Sequence, residues 1–202
     1  MQKQPILAAW QQLPSLQSTM AMASMGFDWI VVDLEHTSTT TQEAEAIFNM
    51  AQRYNCSPYV RMPSADPYLA RRLLDAGANG IILPVVENRD GFDEFAQHCY
   101  FPPIGKRGVG LVNANLWGDI LTDYVENFQP TIIAQIETKI GAQNIESLIK
   151  SEFLGGIMVG PYDLSASLGK TGQFDDPEFL DLVEHILKTA KAHKKFIGYH
   201  AG

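Results

Sequence analysis

Short apolar runs alternate with helical patterns along the whole sequence, and this alternation constrains the fold more than any other feature. The runs have the length of strands, are often β-branched and are apolar on both faces, as parallel strands covered on both sides are. They occur at residues 5–10, 29–35, 58–62, 80–86, 131–137, 155–160 and 195–200. Such alternation predicts an α/β fold, with a parallel sheet and helices outside it.

The number of predicted strands narrows the fold further. Seven strands in 202 residues fit either an open doubly wound sheet or a (β/α)8 barrel. No GxGxxG sequence follows the first strand, so a dinucleotide-binding doubly wound fold would lack its phosphate loop. The length and the absence of a convincing linker predict a single domain over residues 1–202.

Several of the helical patterns carry start signals. The clearest patterns cover residues 15–26, 41–54, 66–77 and 176–193. An aspartate followed by proline opens two of them, at residues 66–67 and 176–177, which places an N-cap before a proline at the first helical position. The hydroxyl-rich run 37–41 is predicted to cap the next helix, with Glu43 available for a capping box.

Charge and cysteine content exclude some classes of protein. The net charge is -8, whereas sequence-independent nucleic-acid binding requires a basic face. No apolar run approaches the roughly 20 residues of a membrane helix, and the N-terminal apolar segment is too short for a signal peptide. Cys56 and Cys99 stand apart with no CxxC spacing, so we expect free thiols in a reducing, cytoplasmic compartment.

Four of the predicted strands end in polar side chains, at the place where reactive groups gather in parallel α/β folds. They are Asp33, Glu35 and His36 after the second strand, Arg61 in the third, Gln135 and Glu137 in the fifth, and Asp163 just past the sixth. Carboxylates at close quarters repel one another, and a divalent cation removes that difficulty. Two carboxylates with water commonly hold Mg²⁺ or Mn²⁺, so the pattern predicts a metal site.

Each of these residues also has a structural interpretation. Asp163 precedes a helical pattern and could be an N-cap, and Glu137 could be a first-turn acid favoured by the helix dipole. Arg61 could simply pair with a nearby acid. Asp75 lies near the C-terminal end of its helix, where a negative charge is unfavourable, and a surface pair with Arg71 would be one explanation.

The least regular region is residues 101–119, FPPIGKRGVGLVNANLWGD. It holds three glycines and two prolines before residue 111. Irregular segments of this length in compact domains are commonly functional, so we expect a long functional loop here.

The chain resembles the HpcH/HpaI aldolase family, the metal-dependent class II pyruvate aldolases. The resemblance lies in six segments that occur in the same order as in the family. They are GFDWIVVDLEH (26–36), YVRMP (59–63), LLDAGANGIILPVV (73–86), FPPIGKRGVG (101–110), AQIET (134–138) and GGIMVGPYDLSASLG (155–169). It implies a (β/α)8 barrel of the TIM type that ends, in this chain, before the eighth strand and last helix.

The resemblance also implies roles for individual residues. His36 matches the catalytic base, Asp75 the acid that holds this histidine, and Arg61 the arginine that steadies the developing enolate. Glu137 and Asp163 match the two protein ligands of a Mg²⁺, Mn²⁺ or Co²⁺ ion. The substrate-binding positions implied are Gln135, the backbone at Tyr162, Arg61 and Asp163. Asp33 and Glu35 are expected to support the site, by positioning His36 or water, or to lie at a subunit interface, and the role of Arg107 stays open.

The implied activity is a metal-dependent aldolase that forms a pyruvate enolate and reversibly cleaves or forms 4-hydroxy-2-oxo acids with an aldehyde partner. Small-molecule substrates and a homo-oligomer, a hexamer built as a trimer of dimers, follow from the same resemblance. One alternative is a citrate-lyase-like carbon–carbon lyase acting on an acyl-CoA thioester, for which Lys106 and Arg107 would have to face the CoA phosphates. Another is a degenerate, non-catalytic barrel.

Overall fold

The computed structural model describes residues 5–199, in which strands and helices alternate along the chain. The strands are β1 (Ala8–Gln11), β2 (Trp29–Asp33), β3 (Ser57–Arg61), β4 (Gly80–Leu83), β5 (Thr131–Ile136), β6 (Leu154–Val159) and β7 (Phe196–Tyr199). The helices are α1 (Leu16–Ser24), α2 (Thr41–Arg53), α3 (Pro67–Asp75), α4 (Arg89–Gln97), a 3-10 segment (Asn113–Gly118), α5 (Leu121–Asn127), α6 (Lys139–Gln143), α7 (Ile145–Leu148), α8 (Pro161–Ser167) and α9 (Pro177–Ala192). This alternation confirms the predicted α/β fold.

The described chain forms two compact units. The first contains the residues up to Ile81 together with His98–Pro130, and the second contains Ile82–Gln97 together with the residues from Thr131 onward. A (β/α)8 barrel of the TIM type without its eighth strand and last helix, and a single domain over residues 1–202, stay predictions. Within residues 5–199, no helix has both the length and the apolar character needed to cross a membrane.

The predicted helix starts are confirmed by their capping bonds. The Asp66 carboxylate accepts hydrogen bonds from two backbone amides in the first turn of α3, and Asp176 does the same for α9. Thr40 and Glu43 form the expected capping box at the start of α2. These caps satisfy amides that have no partner within the helix, so local sequence alone fixes where these helices begin.

In the first unit, strands β1, β2 and β3 pair in parallel and in chain order. Ile30, Val32 and Val60 are fully buried in these strands, as is Phe48 in α2. The β2–β3 register pairs Asp33 with Arg61, the last residue of each strand. The pairing that buries the apolar side chains therefore also brings an acid and a base together at the carboxyl ends of two strands.

In the second unit, strands β5, β6 and β7 also pair in parallel and in chain order. Glycine at position 156 permits the close β6–β7 contact, because a Cβ there would lie 2.8 Å from the Phe196 side chain. Gln135 is the penultimate residue of β5, and Glu137 follows the strand directly. Helix α8 begins two residues after β6 ends, so Asp163 lies close to a strand end as expected.

Some predicted boundaries differ from the structure. Strand β1 begins at Ala8 rather than at residue 5, and β4 ends at Leu83, two residues before Val85, which has a left-handed φ of 52°. The last residue of the predicted run 195–200, His200, lies outside the described residues. The irregular segment 101–119 is only partly a loop, since a kinked 3-10 segment occupies its C-terminal part.

Candidate active site

Arg61 is fixed at the end of β3 by a bidentate pair with Asp33. Its Nε donates to Asp33 Oδ1 at 2.9 Å and its Nη2 donates to Asp33 Oδ2 at 2.5 Å. The Asp33 side chain is fully buried, whereas 11% of the Arg61 side chain is exposed. A bidentate pair restricts the orientation of the guanidinium, so Arg61 presents a positive charge at the carboxyl end of the strand.

The Asp33 carboxylate also organises the residues that follow it. Its Oδ1 accepts hydrogen bonds from the backbone amides of Glu35 and His36, at 3.0 and 3.4 Å. Burial would raise the pKa of the Asp33 carboxyl, but the bonds and charge of Arg61 and these amides together lower the pKa below its ordinary value of 3.8. An acid therefore ends the strand because it anchors both Arg61 and the turn that carries His36.

Glu35 and His36 complete this cluster. The Arg61 guanidinium lies 3.2 Å from Glu35 Oε2, and the His36 Nε2 lies 3.8 Å from the same oxygen. The His36 side chain is 60% exposed. An imidazole placed beside a fixed guanidinium and open to its surroundings has the access that a general base requires.

Trp10 in β1 is a member of this cluster that sequence reasoning missed. Its ring lies 4.9 Å from the Arg61 guanidinium, and its Nε1 donates a long hydrogen bond of 3.5 Å to Asp33 Oδ2. The sequence signal that could have indicated it was an aromatic residue near the end of β1, next to strand β2, which ends in the charged residue Asp33. The ring covers one side of the Arg61 guanidinium and helps to hold it in place.

Asp75 lies at the C-terminal end of α3, as predicted, but its partner is Arg107. Arg107 Nη2 donates to Asp75 Oδ1 at 2.7 Å, so the interpretation of Asp75 as a surface partner of Arg71 is wrong. Arg71 instead donates through Nε to the Pro67 carbonyl. Within residues 5–199, no hydrogen bond or ion pair joins Asp75 to His36, and the role implied for Asp75 stays a proposal.

Gln135 and Glu137 lie together at the end of β5 in the second unit. Both side chains are buried, and the Gln135 amide donates to Glu137 Oε2. The Val85 backbone amide donates to Glu137 Oε1 at 2.6 Å. Glu137 precedes the N-cap residue of α6, which is Thr138, so the interpretation of Glu137 as a first-turn acid is wrong. Its carboxylate is held inside the unit instead.

Gly160 makes this arrangement possible. A Cβ at position 160 would lie 2.7 Å from Glu137 Oε2 and 3.2 Å from the Gln135 amide nitrogen. The backbone between β6 and α8 therefore passes directly over the buried carboxylate. A Cβ would also lie 2.8 Å from the Glu137 Cβ, and real Cβ atoms essentially never make contacts under 3.0 Å, so glycine is required here.

Asp163 and Tyr162 lie in the first turn of α8, a few residues beyond Gly160. The N-cap of this helix is Gly160, with no side-chain capping bond, so the interpretation of Asp163 as an N-cap is wrong. Tyr162 is exposed and its ring meets Phe174 edge-on at 5.1 Å. Asp163 is therefore an acid without a capping role, carried by the turn that closes over Glu137.

The donors in the second unit fit a hard divalent cation. Glu137 and Asp163 follow two neighbouring parallel strands, and Gln135 Oε1 is buried without a hydrogen-bond partner among residues 5–199. Carboxylate and amide oxygens are the ligands that Mg²⁺ and Mn²⁺ prefer. No group of three or more His, Cys, Asp or Glu suited to a metal occurs in the described part of the chain, so a metal here would rest on two protein carboxylates.

Comparisons with known proteins identify the family of the chain. A family model described as HpcH/HpaI aldolase/citrate lyase matches residues 9–198. A 5-keto-4-deoxy-D-glucarate aldolase of Escherichia coli is 34% identical over 199 residues, which cover 96% of this chain and 76% of the relative.

Solved structures give the same result. A HpcH/HpaI aldolase/citrate lyase family protein from Burkholderia cenocepacia J2315 superposes with a TM-score of 0.93 at 30% identity, covering 98% of this chain and 80% of that one. A HpcH/HpaI aldolase from Desulfitobacterium hafniense DCB-2 superposes with a TM-score of 0.89 at 27% identity, covering 98% and 78%.

Proposed function

The chain belongs to the HpcH/HpaI aldolase/citrate lyase family, and on that premise we propose that it reversibly cleaves a 4-hydroxy-2-oxo acid to pyruvate and an aldehyde. That it is an aldolase, a carbon–carbon lyase, follows from the family and from its curated relative. The relative's substrate, 5-keto-4-deoxy-D-glucarate, is itself a 4-hydroxy-2-oxo acid when numbered from its keto end, and this supports the substrate class.

The observation that supports the proposal most directly is the fixed guanidinium of Arg61. Formation of an enolate places negative charge on the former keto oxygen of pyruvate. Arg61 is oriented by Asp33 before substrate arrives, so stabilising that charge costs no reorganisation. We propose that His36, whose backbone amide donates to the same Asp33 carboxylate, takes the proton from the methyl carbon of pyruvate.

A divalent cation completes the proposed chemistry. Members of the family are generally dependent on such metals, and we propose that Glu137 and Asp163 hold Mg²⁺, Mn²⁺ or Co²⁺ in this chain. The bound ion would act as a Lewis acid and stabilise the charge on the enolate. Gln135 and the backbone at Tyr162 would orient the substrate, since Gln135 keeps a buried acceptor oxygen available. We also propose a homo-oligomer, a hexamer of three dimers, from the resemblance alone.

Action on an acyl-CoA thioester is less well supported. Of the two basic residues that could meet the CoA phosphates, Arg107 is fully buried and paired with Asp75. It therefore cannot reach a phosphate outside the fold. Lys106 alone is exposed, and a single lysine is a weak anchor for the several phosphate groups of CoA.

Exchange of the methyl protons of pyruvate in D2O tests the proposal without knowledge of the aldehyde. We expect proton NMR to show metal-dependent loss of the methyl signal with Mg²⁺ or a low load of Mn²⁺. His36→Ala and Glu137→Gln should each abolish it, because one removes the base and the other a metal ligand. His193→Ala and Glu152→Gln, at exposed positions, are the matched controls and should exchange at the wild-type rate.

Thermal unfolding gives an independent readout of the metal. A ligand that binds only the folded state raises Tm by mass action, so Mn²⁺ should stabilise the wild type and not Glu137→Gln. Absence of exchange from a folded protein whose Tm rises with Mn²⁺ would overturn the pyruvate-aldolase proposal. Absence of any metal effect on Tm would overturn the metal site.

A further inference from the structure

Helix α8 carries two residues of the proposed site but lacks a capping side chain that would fix its first turn. It has only seven residues, Pro161–Ser167, and helices this short are marginal without tertiary contacts. Its N-cap is Gly160, where the close approach to Glu137 requires glycine. Asp163, in the first turn, makes no side-chain hydrogen bond or ion pair among residues 5–199. The direction of its carboxylate therefore depends on how the backbone of this turn is held.

The Ser165 hydroxyl holds this turn from inside the second unit, where the residue is fully buried. Its Oγ donates to the Tyr162 carbonyl at 2.7 Å and accepts a hydrogen bond from the Gly172 backbone amide at 3.0 Å. A hydroxyl carries one donor and can also accept, so both capacities are used, one within α8 and one beyond it. Ser165 thereby ties the residue before Asp163 to the segment that follows the helix.

That segment, residues 168–176, returns to the same turn and is anchored at its far end. Lys170 Nζ lies 2.8 Å from Asp176 Oδ1, and Asp176 is the N-cap of the long helix α9. The Phe174 ring meets the Tyr162 ring edge-on at 5.1 Å. The first turn of α8 is therefore held against a segment that is itself attached to α9.

Helix stability alone does not explain a serine at position 165. Serine is a weaker helix former than alanine, and a hydroxyl that bonds a carbonyl of the preceding turn slightly destabilises the helix. A buried hydroxyl is also costly unless it is hydrogen-bonded, whereas an alanine carries no such requirement. The hydroxyl is of use where the Tyr162 carbonyl and the Gly172 amide must keep a fixed separation.

We propose that Ser165 is a positioning residue, which fixes the first turn of α8 so that the Asp163 carboxylate is ready for a divalent cation and the Tyr162 backbone for substrate. This inference rests on the proposed function, in which Glu137 and Asp163 hold the cation. Groups that hold a metal ligand in place typically contribute about 10–100-fold to metal affinity or activity. Ser165 acts through the backbone and touches neither the cation nor pyruvate.

The affinity for Mn²⁺ tests the proposal in the absence of substrate. We expect Ser165→Ala to raise the Kd for Mn²⁺ by about 10-fold, measured well below Tm from the EPR signal of free Mn²⁺. It should also raise the pyruvate concentration at half-maximal methyl-proton exchange, because the Tyr162 backbone is released together with Asp163. Ser165→Cys keeps a weak donor and acceptor, so its Kd should lie between those of the wild type and Ser165→Ala. A purely structural role would lower Tm and leave the Kd of the folded protein unchanged.

Ser24→Ala is the matched control. Ser24 also lies in a helix and donates to a carbonyl three residues back, that of Ala21, at 2.8 Å. It is exposed and makes no further side-chain hydrogen bond in the part of the chain that the structure describes, so Ser24→Ala should bind Mn²⁺ as the wild type does. Glu137→Gln should abolish this binding, which would show that the measured Kd belongs to the proposed site.

A folded Ser165→Ala protein with the wild-type Kd for Mn²⁺ would overturn the inference, whatever its Tm. If Ser165→Ala does not fold, Ser165→Cys is judged by the same criterion, and failure of both to fold would make the residue structural and also overturn the inference. If the wild type binds no Mn²⁺, it is the metal site of the proposed function that fails, before any variant is compared. If the wild type binds Mn²⁺ but exchanges no methyl protons, the pyruvate chemistry fails, and the Kd values still decide the role of Ser165.

Discussion

Two arginine–aspartate pairs in the first unit are built with opposite burial. In the Arg61–Asp33 pair the acid is completely buried and the arginine is partly exposed. In the Arg107–Asp75 pair the arginine is completely buried and the acid is partly exposed. The first pair is bidentate, with Glu35 as a second acid, whereas the second pair rests on one hydrogen bond from a single nitrogen.

The difference shows that the buried partner determines which charge a pair presents. Both oxygens of the buried Asp33 carboxylate bind Arg61. This pair therefore presents the guanidinium cation, and we propose that the negative charge of the enolate develops beside it. Arg107 is buried and holds Asp75 in place, so the second pair presents a carboxylate to the cavity that Asp75 lines. Each pair consists of one aspartate and one arginine, so the sequence does not distinguish them. In the structure, one pair exposes a positive charge and the other a negative charge.

The largest expected effect is on stability, and we expect it from loss of Asp75, although Asp75 is the more exposed of the two acids. Asp75→Ala leaves the buried charge of Arg107 uncompensated and should cost about 3–5 kcal/mol of unfolding free energy. Asp33→Ala removes a deeper residue but leaves Arg61 its contact with Glu35, so we expect a smaller cost of about 1–3 kcal/mol. Urea unfolding of both variants measures the difference.

Glu152→Ala, at an exposed position without a described ion pair, is the control and should change stability little. The comparison breaks if Asp33→Ala proves the more destabilising of the two, because buried depth rather than the fate of the arginine would then govern the cost.

A smaller effect is expected in the acid range. Because the pKa of Asp33 is lower in the folded state than its ordinary value of 3.8, the stability from this group is fully present above that value. It is lost as pH falls through the folded pKa, over roughly the range from pH 5 downward. Asp33→Asn should therefore flatten the loss of unfolding free energy on acidification. An unchanged slope between about pH 5 and pH 2 would contradict the assignment.

The smallest effect is expected at Tyr124. Tyr124→Phe removes the hydroxyl between Arg107 and the Leu74 carbonyl while keeping the ring beside the guanidinium. We expect a loss of about 0.5–1.5 kcal/mol in unfolding free energy, measured by urea unfolding, since Arg107 keeps its bond to Asp75. Tyr68→Phe, at an exposed tyrosine of the same unit, should leave the unfolding free energy unchanged. A loss as large as that expected for Asp75→Ala would show that the hydroxyl, rather than the Asp75 carboxylate, is the main partner of Arg107.

Much of the secondary structure could be predicted from local sequence. Strand positions followed from apolar runs, and helix starts followed from capping residues such as Asp66, Thr40 and Asp176, because both signals act over a few neighbouring residues. The irregular segment 101–119 was predicted less well. Its conformation depends on Arg107 and on contacts with distant residues, and only the folded chain supplies these.

For the candidate site, the sequence by itself determined the residue types at the strand ends, the resemblance to the family and the short helix at Asp163. Only the tertiary structure decided the partners. In the structure, Asp33 anchors Arg61, and the partner of Asp75 is Arg107 rather than Arg71. Trp10 packs against the Arg61 guanidinium. The physical reason is that side-chain partners are set by strand register and by packing between residues distant in sequence, which no local pattern records.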